Sequence, residues 1–272
     1  MTCTPLAMSR LKRTNARWAG VRLSNFTRSE FCTVISSAIE QRSGLLVTFL
    51  NPFYARATDN DDQLATVIDG FDIVQPDGWG VVYGARFAGI RIRERVAIED
   101  VERPIFTKLA DRNCRVFLFG SEPGVAEAAG HTLCSEFPGL QIVGTQHGWL
   151  DVERGHPGRL HEADATRVAR HIGECRPHLV LVGLPTPMQQ QWASRFAPDM
   201  GASVVMTVGA YFDKLAEGLD WYPRWMEALR LGWLYRVYRE PRRLMARYSL
   251  GSALFVGLTF RHAVRARRTG AE

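Results

Sequence analysis

Short apolar runs alternate along the chain with longer segments in which apolar residues recur at the spacing of a helix. Six of the short runs predict buried strands, at 45–50, 71–74, 115–119, 140–143, 178–184 and 203–208. The longer segments predict helices at 29–41, 61–68, 124–137, 160–175 and 188–196, the first preceded by a capping box, T-R-S-E at 27–30. We therefore predict an α/β fold in which a Rossmann-like parallel sheet is covered by helices.

The alternation ends near residue 212, and the sequence beyond it is rich in Trp, Tyr and Arg. We predict three parts: a basic N-terminal segment at 1–26, an α/β core at 27–212 and a C-terminal helical appendage at 213–272. No run reaches the roughly 18 apolar residues of a spanning helix, and no signal-peptide pattern opens the chain. The five cysteines form no C-x-x-C pair or zinc-ligand cluster, which favours a reducing, cytoplasmic setting without a structural metal or disulfide framework.

The net charge of +6 is unevenly distributed. Residues 1–28 carry five Arg and one Lys without an acid, and residues 230–272 carry ten Arg against two Glu, so the middle of the chain is acidic. Basic ends that flank an acidic body favour an anionic membrane surface or a pyrophosphate as partner, and predict no nucleic-acid binding. A nonenzymatic nucleic-acid-binding protein, suggested by the pI near 9.3, stays open as the alternative from a different class.

Polar residues follow four of the predicted strands, and ligands of open α/β sheets bind at the carboxyl ends of the strands. Asn51 follows the first strand, and Asp77 follows the second between a Pro and a Gly, where it either presents a carboxylate or caps the next helix. Gly120 begins a strand-to-helix loop that resembles an anion loop but lacks G-x-G-x-x-G and the Walker lysine. Gln189, Gln190 and Gln191 either bind uracil or hydroxyl groups or begin a solvated helix.

Two further patterns bear on phosphate chemistry. The D-N-D sequence at 59–61 imitates the D-x-D metal motif of many sugar transferases, with a solvated helix start as the alternative. In the appendage, arginines that include Arg236, Arg242 and Arg247 recur near helical spacing, and guanidinium groups match the oxygens of a diphosphate. A solvated or lipid-facing basic helix is the alternative for these arginines.

Taken in order, the segments resemble the WecG/TagA/CpsF family of bacterial glycosyltransferases, also called glycosyltransferase family 26. The resemblance covers most of the chain and is carried by many short motifs in one order. They are V-T-F-L-N-P at 47–52, P-D-G-W-G-V-V at 76–82, R-V at 95–96, V-F-L-F-G at 116–120, P-G-V at 123–125, F-P-G-L at 137–140, V-G at 143–144, G-W at 148–149, V-G-L-P-T-P-M-Q at 182–189, V-G-A-Y-F-D at 208–213, W-L-Y-R at 233–236 and E-P-R at 240–242 through R-Y at 247–248.

The resemblance implies an inverting, metal-independent and cofactor-free enzyme that moves a sugar from a UDP-sugar to a polyprenyl-diphosphate-linked saccharide. It further implies a peripheral enzyme at the inner face of the cell membrane, in exopolysaccharide or cell-surface polysaccharide biosynthesis. Asp77 matches the family's proposed base. The resemblance also implies substrate-binding residues, or includes them in its matching segments. They are Thr48, Asn51, Gly120, Trp149, Gln189, Arg236, Arg242 and Arg247, with the three arginines at the diphosphate.

Three departures from the family's pattern leave the donor sugar open among N-acetylmannosamine, glucose and a uronic acid. Phe49 replaces a Thr, P-K-Q-E reads P-M-Q-Q at 187–190, and Gly232 replaces an acid. Another nucleotide-sugar enzyme such as an epimerase is the runner-up among enzymes, although the missing dinucleotide fingerprint argues against it. The sequence leaves homo-oligomerisation open.

Overall fold

The computed structural model describes residues 13–14, 17–149, 162–218 and 254–264. Its six strands form one all-parallel sheet in the order β2-β1-β6-β5-β3-β4, which confirms the predicted sheet. The strands are β1 (Leu45–Leu50), β2 (Ile73–Pro76), β3 (Arg115–Gly120), β4 (Gln141–Gln146), β5 (Leu179–Gly183) and β6 (Val204–Thr207). β1, β5 and β6 are buried along most of their length, as strands covered on both faces must be.

The helices are α1 (Arg28–Gln41), α2 (Pro52–Asn60), α3 (Asp62–Asp69), α4 (Trp79–Phe87), α5 (Ile98–Asp111), α6 (Val125–Glu136), α7 (Glu162–Glu174), α8 (Met188–Met200), α9 (Tyr211–Glu217) and α10 (254–264). The predicted capping box is present at α1. The Glu30 amide donates to Thr27 Oγ1 over 3.3 Å, and the Thr27 amide donates to Glu30 Oε2 over 3.0 Å. The five helices predicted with bounds correspond to α1, α3, α6, α7 and α8, whereas α2, α4, α5 and α9 were given no bounds from the sequence.

The helices cover the sheet in two layers with separate apolar cores. The first layer contains α2, α3, α4, α7 and α8, and the second contains α1, α5, α6 and α9. Residues before α1 enter both cores, because Trp18 is fully buried in the first and Phe26 in the second. The proposed division into three parts stays a prediction, since residues 219–253 and 265–272 lie outside the described residues.

Helix α10 packs on the first layer. Its Phe255 ring makes an edge contact with Trp18 at a centroid distance of 5.9 Å, and Leu258 is buried. Arg261 and His262 both reach the Asp59 carboxylate at the end of α2, at 2.9 and 2.7 Å. Apolar contacts and an ion pair therefore fix α10 against α2 and the segment before α1.

Within the ranges that the structure describes, no helix is both long enough and apolar enough to cross a bilayer.

Candidate active site

The strand order predicts a crevice at the carboxyl ends of β3 and β5, because the chain changes direction between the two layers there. After β3 the chain enters α6 in the second layer, and after the neighbouring β5 it enters α8 in the first. Adjacent parallel strands whose following helices lie on opposite faces leave an opening between their loops, which is where open α/β sheets bind ligands. The loops after β3, β4, β5 and β6 meet at this opening.

Three of these loops are joined by backbone hydrogen bonds around Gly120. The Ser121 amide donates to the Gly183 carbonyl over 3.0 Å, and the Gly148 amide donates to the Ser121 carbonyl over 2.9 Å. Gly120 has φ +140°, and a β-carbon there would overlap the Gly183 carbonyl and lie 2.7 Å from the Gly183 Cα. The predicted site residue Gly120 is thus the point of closest approach between β3 and β5.

Gln189 joins the loops after β5 and β6. Its Oε1 accepts from the Gly209 amide over 2.9 Å and its Nε2 donates to Thr186 Oγ1 over 3.2 Å. Gln189 and Gln190 are both buried, so the alternative of a solvated helix start is wrong for these two residues. In this structure the Gln189 amide shapes the rim of the crevice.

Thr48 lies beneath the crevice, in the interior of the sheet. It is fully buried, and its hydroxyl oxygen accepts from Thr207 Oγ1 over 2.7 Å and from Gln190 Nε2 over 3.3 Å. In this structure the Thr48 hydroxyl supports β6 and α8. Its contact with a substrate stays a prediction.

Asn51 and Asp77 follow the ends of the paired strands β1 and β2. The Asp77 amide donates to the carbonyl of Leu50, the residue before Asn51, over 2.9 Å. Asn51 caps α2, accepting from the Tyr54 amide over 2.9 Å, while its Nδ2 has no hydrogen-bond partner among the described residues. The Asp77 side chain is 32% exposed. It does not cap the next helix, because α4 has Gly78 at its N-cap and no side-chain capping bond.

Arg95 and Asp100 join this part of the site, and sequence reasoning assigned neither as a site residue. Arg95 Nη1 lies 3.7 Å from Asp77 Oδ1, and Arg95 Nη2 lies 2.5 Å from Asp100 Oδ1. The R-V motif at 95–96 was a signal for Arg95, but no pattern connected it to the Asp77 carboxylate that follows β2. Burial raises the pKa of Asp100, and the guanidinium of Arg95, the Ala97 amide and Arg28 oppose that rise.

The D-N-D sequence at 59–61 is divided between two helices. Asp59 pairs with Arg261 and His262, and Asp61 Oδ1 accepts from the Leu64 amide over 2.9 Å as the N-cap of α3. Both carboxylates are therefore engaged with protein partners. Among the described residues no group of three or more His, Cys, Asp or Glu side chains is placed to hold a metal ion.

The remaining predicted site residues are at or beyond the edge of the described chain. Trp149 follows β4 and the Gly148 contact, and its ring is 62% exposed, which suits a wall of the crevice. Arg236, Arg242 and Arg247 lie outside the described residues, so their contact with a diphosphate stays a prediction.

The fold and the crevice define a doubly wound α/β protein with a switch-point site, and comparison with known proteins identifies the family. The chain belongs to the Glycosyl transferase WecG/TagA/CpsF family, whose model matches residues 16–269, and it is a glycosyltransferase.

Three relatives share the name N-acetylglucosaminyldiphosphoundecaprenol N-acetyl-beta-D-mannosaminyltransferase. The protein from Bacillus subtilis strain 168 is 28% identical over 205 residues, which are 75% of each chain. The protein from Bacillus spizizenii is 24% identical over 223 residues, 80% of this chain and 82% of its own. The protein from Staphylococcus aureus strain MW2 is 24% identical over 229 residues, 83% of this chain and 85% of its own.

Proposed function

We propose that this glycosyltransferase moves a sugar from a UDP-sugar to a polyprenyl-diphosphate-linked saccharide, with inversion at the anomeric carbon, during exopolysaccharide or other cell-surface polysaccharide synthesis. The observation that carries the proposal is the partly exposed Asp77 carboxylate beside Asn51 at the carboxyl ends of β2 and β1. The relatives' name, which contains a diphosphoundecaprenol-linked sugar as acceptor, supports the acceptor class.

Asp77 acts as the general base in this reaction. It takes the proton of an acceptor hydroxyl as that oxygen attacks the anomeric carbon, and the bond from this carbon to the UDP oxygen breaks. Because one displacement occurs from the face opposite the leaving group, the anomeric configuration inverts. Asn51 Nδ2 is available to orient a sugar or nucleotide, while Gln189 shapes the rim where the donor would bind.

Arginines supply the positive charge that the departing diphosphate requires. Arg236, Arg242 and Arg247 would contact its oxygens, since guanidinium forks match phosphate geometry. The carboxylates of Asp59 and Asp61 are engaged by Arg261, His262 and the amide of α3, which supports a metal-independent reaction.

A donor and acceptor panel tests the proposal. The purified protein is incubated with UDP-N-acetylmannosamine, UDP-glucose or a UDP-uronic acid and with lipid-diphosphate saccharides, and both UDP release and lipid-linked product are measured. We expect acceptor-dependent UDP release with at least one donor, and the same rate in excess EDTA. No transfer with any pair contradicts the proposal, and transfer that is lost in EDTA and restored by Mg²⁺ or Mn²⁺ contradicts metal independence.

We also propose that the enzyme rests on the inner face of the membrane through an apolar surface of α4 and α10. Gly80 lies against Phe255 and Gly84 against Thr259, so the two helices run in the same direction. In such a parallel pair, a residue that directly precedes a contact residue on α4 points to the same side as a residue that directly follows a contact residue on α10. These residues are exposed and apolar, namely Tyr83, Phe87, Val256 and Phe260.

Two charged substitutions in this surface test the membrane contact. Phe87→Glu with Phe260→Glu is expected to reduce co-sedimentation with phosphatidylglycerol vesicles by at least about tenfold, since each inserted aromatic side chain contributes about 1.5–3 kcal/mol. Thr107→Glu with Ser135→Glu adds the same charge at exposed positions of the second layer and should change binding much less. Equal vesicle binding by the two double variants would contradict this surface.

A further inference from the structure

Arg95 is held between two carboxylates at unequal distances. Its Nη2 donates to Asp100 Oδ1 over 2.5 Å, whereas its Nη1 stands 3.7 Å from Asp77 Oδ1, beyond hydrogen-bond length. The bond to Asp100 is the only side-chain hydrogen bond of Arg95 among the described residues, and Arg95 Nε is buried without an acceptor there. Asp100 therefore determines where the guanidinium lies.

Asp100 is itself fixed by its surroundings. Its side chain is 1% exposed, its Oδ2 accepts from the Ala97 amide over 2.8 Å at the start of α5, and Arg28 Nη2 lies 3.2 Å from its Oδ1. The segment that carries Arg95 is bound to the end of β2, because the Val96 amide donates to the Pro76 carbonyl over 3.2 Å. The fixed Asp100 carboxylate therefore anchors the Arg95 side chain, which extends towards the proposed base, Asp77.

We propose that Asp100 is a positioning residue for transfer, which holds the Arg95 guanidinium near Asp77 and prevents it from closing on that carboxylate. This inference rests on the proposed function of Asp77. A direct Arg–carboxylate pair is commonly bidentate and occupies both carboxylate oxygens. An Asp77 engaged in this way would have no oxygen oriented to receive the acceptor's proton.

Asp100→Asn is the first test. The amide keeps the size of the side chain but weakens its hold on Arg95, so kcat should fall at least about tenfold while the KM for donor and acceptor each change less than about twofold. Glu94→Gln is the matched control, because the Glu94 carboxylate also pairs with Arg28 but forms no ion pair with the Arg95 guanidinium among the described residues. Wild-type kcat in a folded Asp100→Asn protein overturns the proposal.

A double-mutant cycle separates positioning from a general loss of structure. In an Arg95→Met background, Asp100→Asn should lower kcat by less than twofold further, since its effect passes through Arg95. If the double variant shows the product of the two single reductions in kcat, the proposal is overturned, because Asp100 would then act independently of Arg95.

If Asp100→Asn does not give the circular dichroism spectrum of the wild type, the same cycle is run with Asp100→Glu, which retains the charge but displaces the carboxylate. A wild-type protein that transfers no sugar overturns the proposed function and this inference together. Active wild type with an active Asp100 variant overturns only the inference.

Discussion

Replacing Asp77 by asparagine is expected to lower the rate of sugar transfer by about a hundredfold or more, with donor affinity unchanged within a few-fold. The amide has nearly the same shape as the carboxylate but cannot accept the acceptor's proton. General-base assistance contributes about 10² to 10⁴ in rate, so its loss should dominate every other effect of the substitution. Turnover is measured by UDP release and donor binding by calorimetry.

The surroundings of Asp77 indicate that Asp77→Asn should affect catalysis without disturbing the fold. Asp77 caps no helix, and among the described residues its side chain pairs only with Arg95, at 3.7 Å, so the fold should not depend on its charge. Asp111→Asn provides the control, since it makes the same chemical change at an exposed position at the end of α5. Full turnover by a folded Asp77→Asn protein would remove Asp77 as the base.

The sheet could be predicted because buried parallel strands are continuous apolar runs. β1 was predicted with its observed bounds, whereas β2 begins two residues later than predicted. Phe71 caused that error: it is buried in the turn after α3, where its amide donates to the Ile68 carbonyl. Apolar character reports burial, and burial alone does not distinguish a turn from a strand.

The missing helices have local causes. α5 contains Pro104, which removes a backbone donor and is a helix-breaking signal in a sequence, although Ile98, Val101, Ile105 and Leu109 keep helical spacing. α2 begins at Pro52 shortly after β1 and spans nine residues, which is too short for a helical apolar pattern to repeat clearly. Tertiary packing therefore stabilises α2 and α5, although their local sequences carry weak or conflicting helix signals.

Site residues on strand ends were easier to predict than residues that meet across the fold. Asn51 and Asp77 follow strands directly and stand together in the structure. Arg95 comes from an irregular segment and Asp100 from a helix, and their meeting with Asp77 depends on how that segment packs beside β2. The burial of Thr48 could not be predicted, because a strand's period of two does not show which polar side chain is enclosed by a helix above it.

Gly120→Ala is expected to destabilise the protein strongly and to abolish transfer. The backbone there has φ +140°, a region that only glycine adopts readily, and a β-carbon would overlap the Gly183 carbonyl group. Backbone strain and overpacking together should cost about 3 kcal/mol or more, which corresponds to a fall in Tm of roughly 10 °C for a chain of this size.

Loss of the close approach between Gly120 and Gly183 also explains why the Gly120→Ala variant should lose activity while it is still folded. The neighbouring Ser121 amide donates to Gly183, and the Ser121 carbonyl accepts from Gly148, so moving β3 away from β5 displaces the loops of three strands at once. Gly257→Ala is the control, because a β-carbon at this exposed position of α10 meets nothing within 4 Å and should stabilise the helix by about 0.5–1 kcal/mol. Calorimetric unfolding and UDP release are measured for both variants, and a Gly120→Ala protein with wild-type Tm and turnover would show that the crevice does not depend on this close approach.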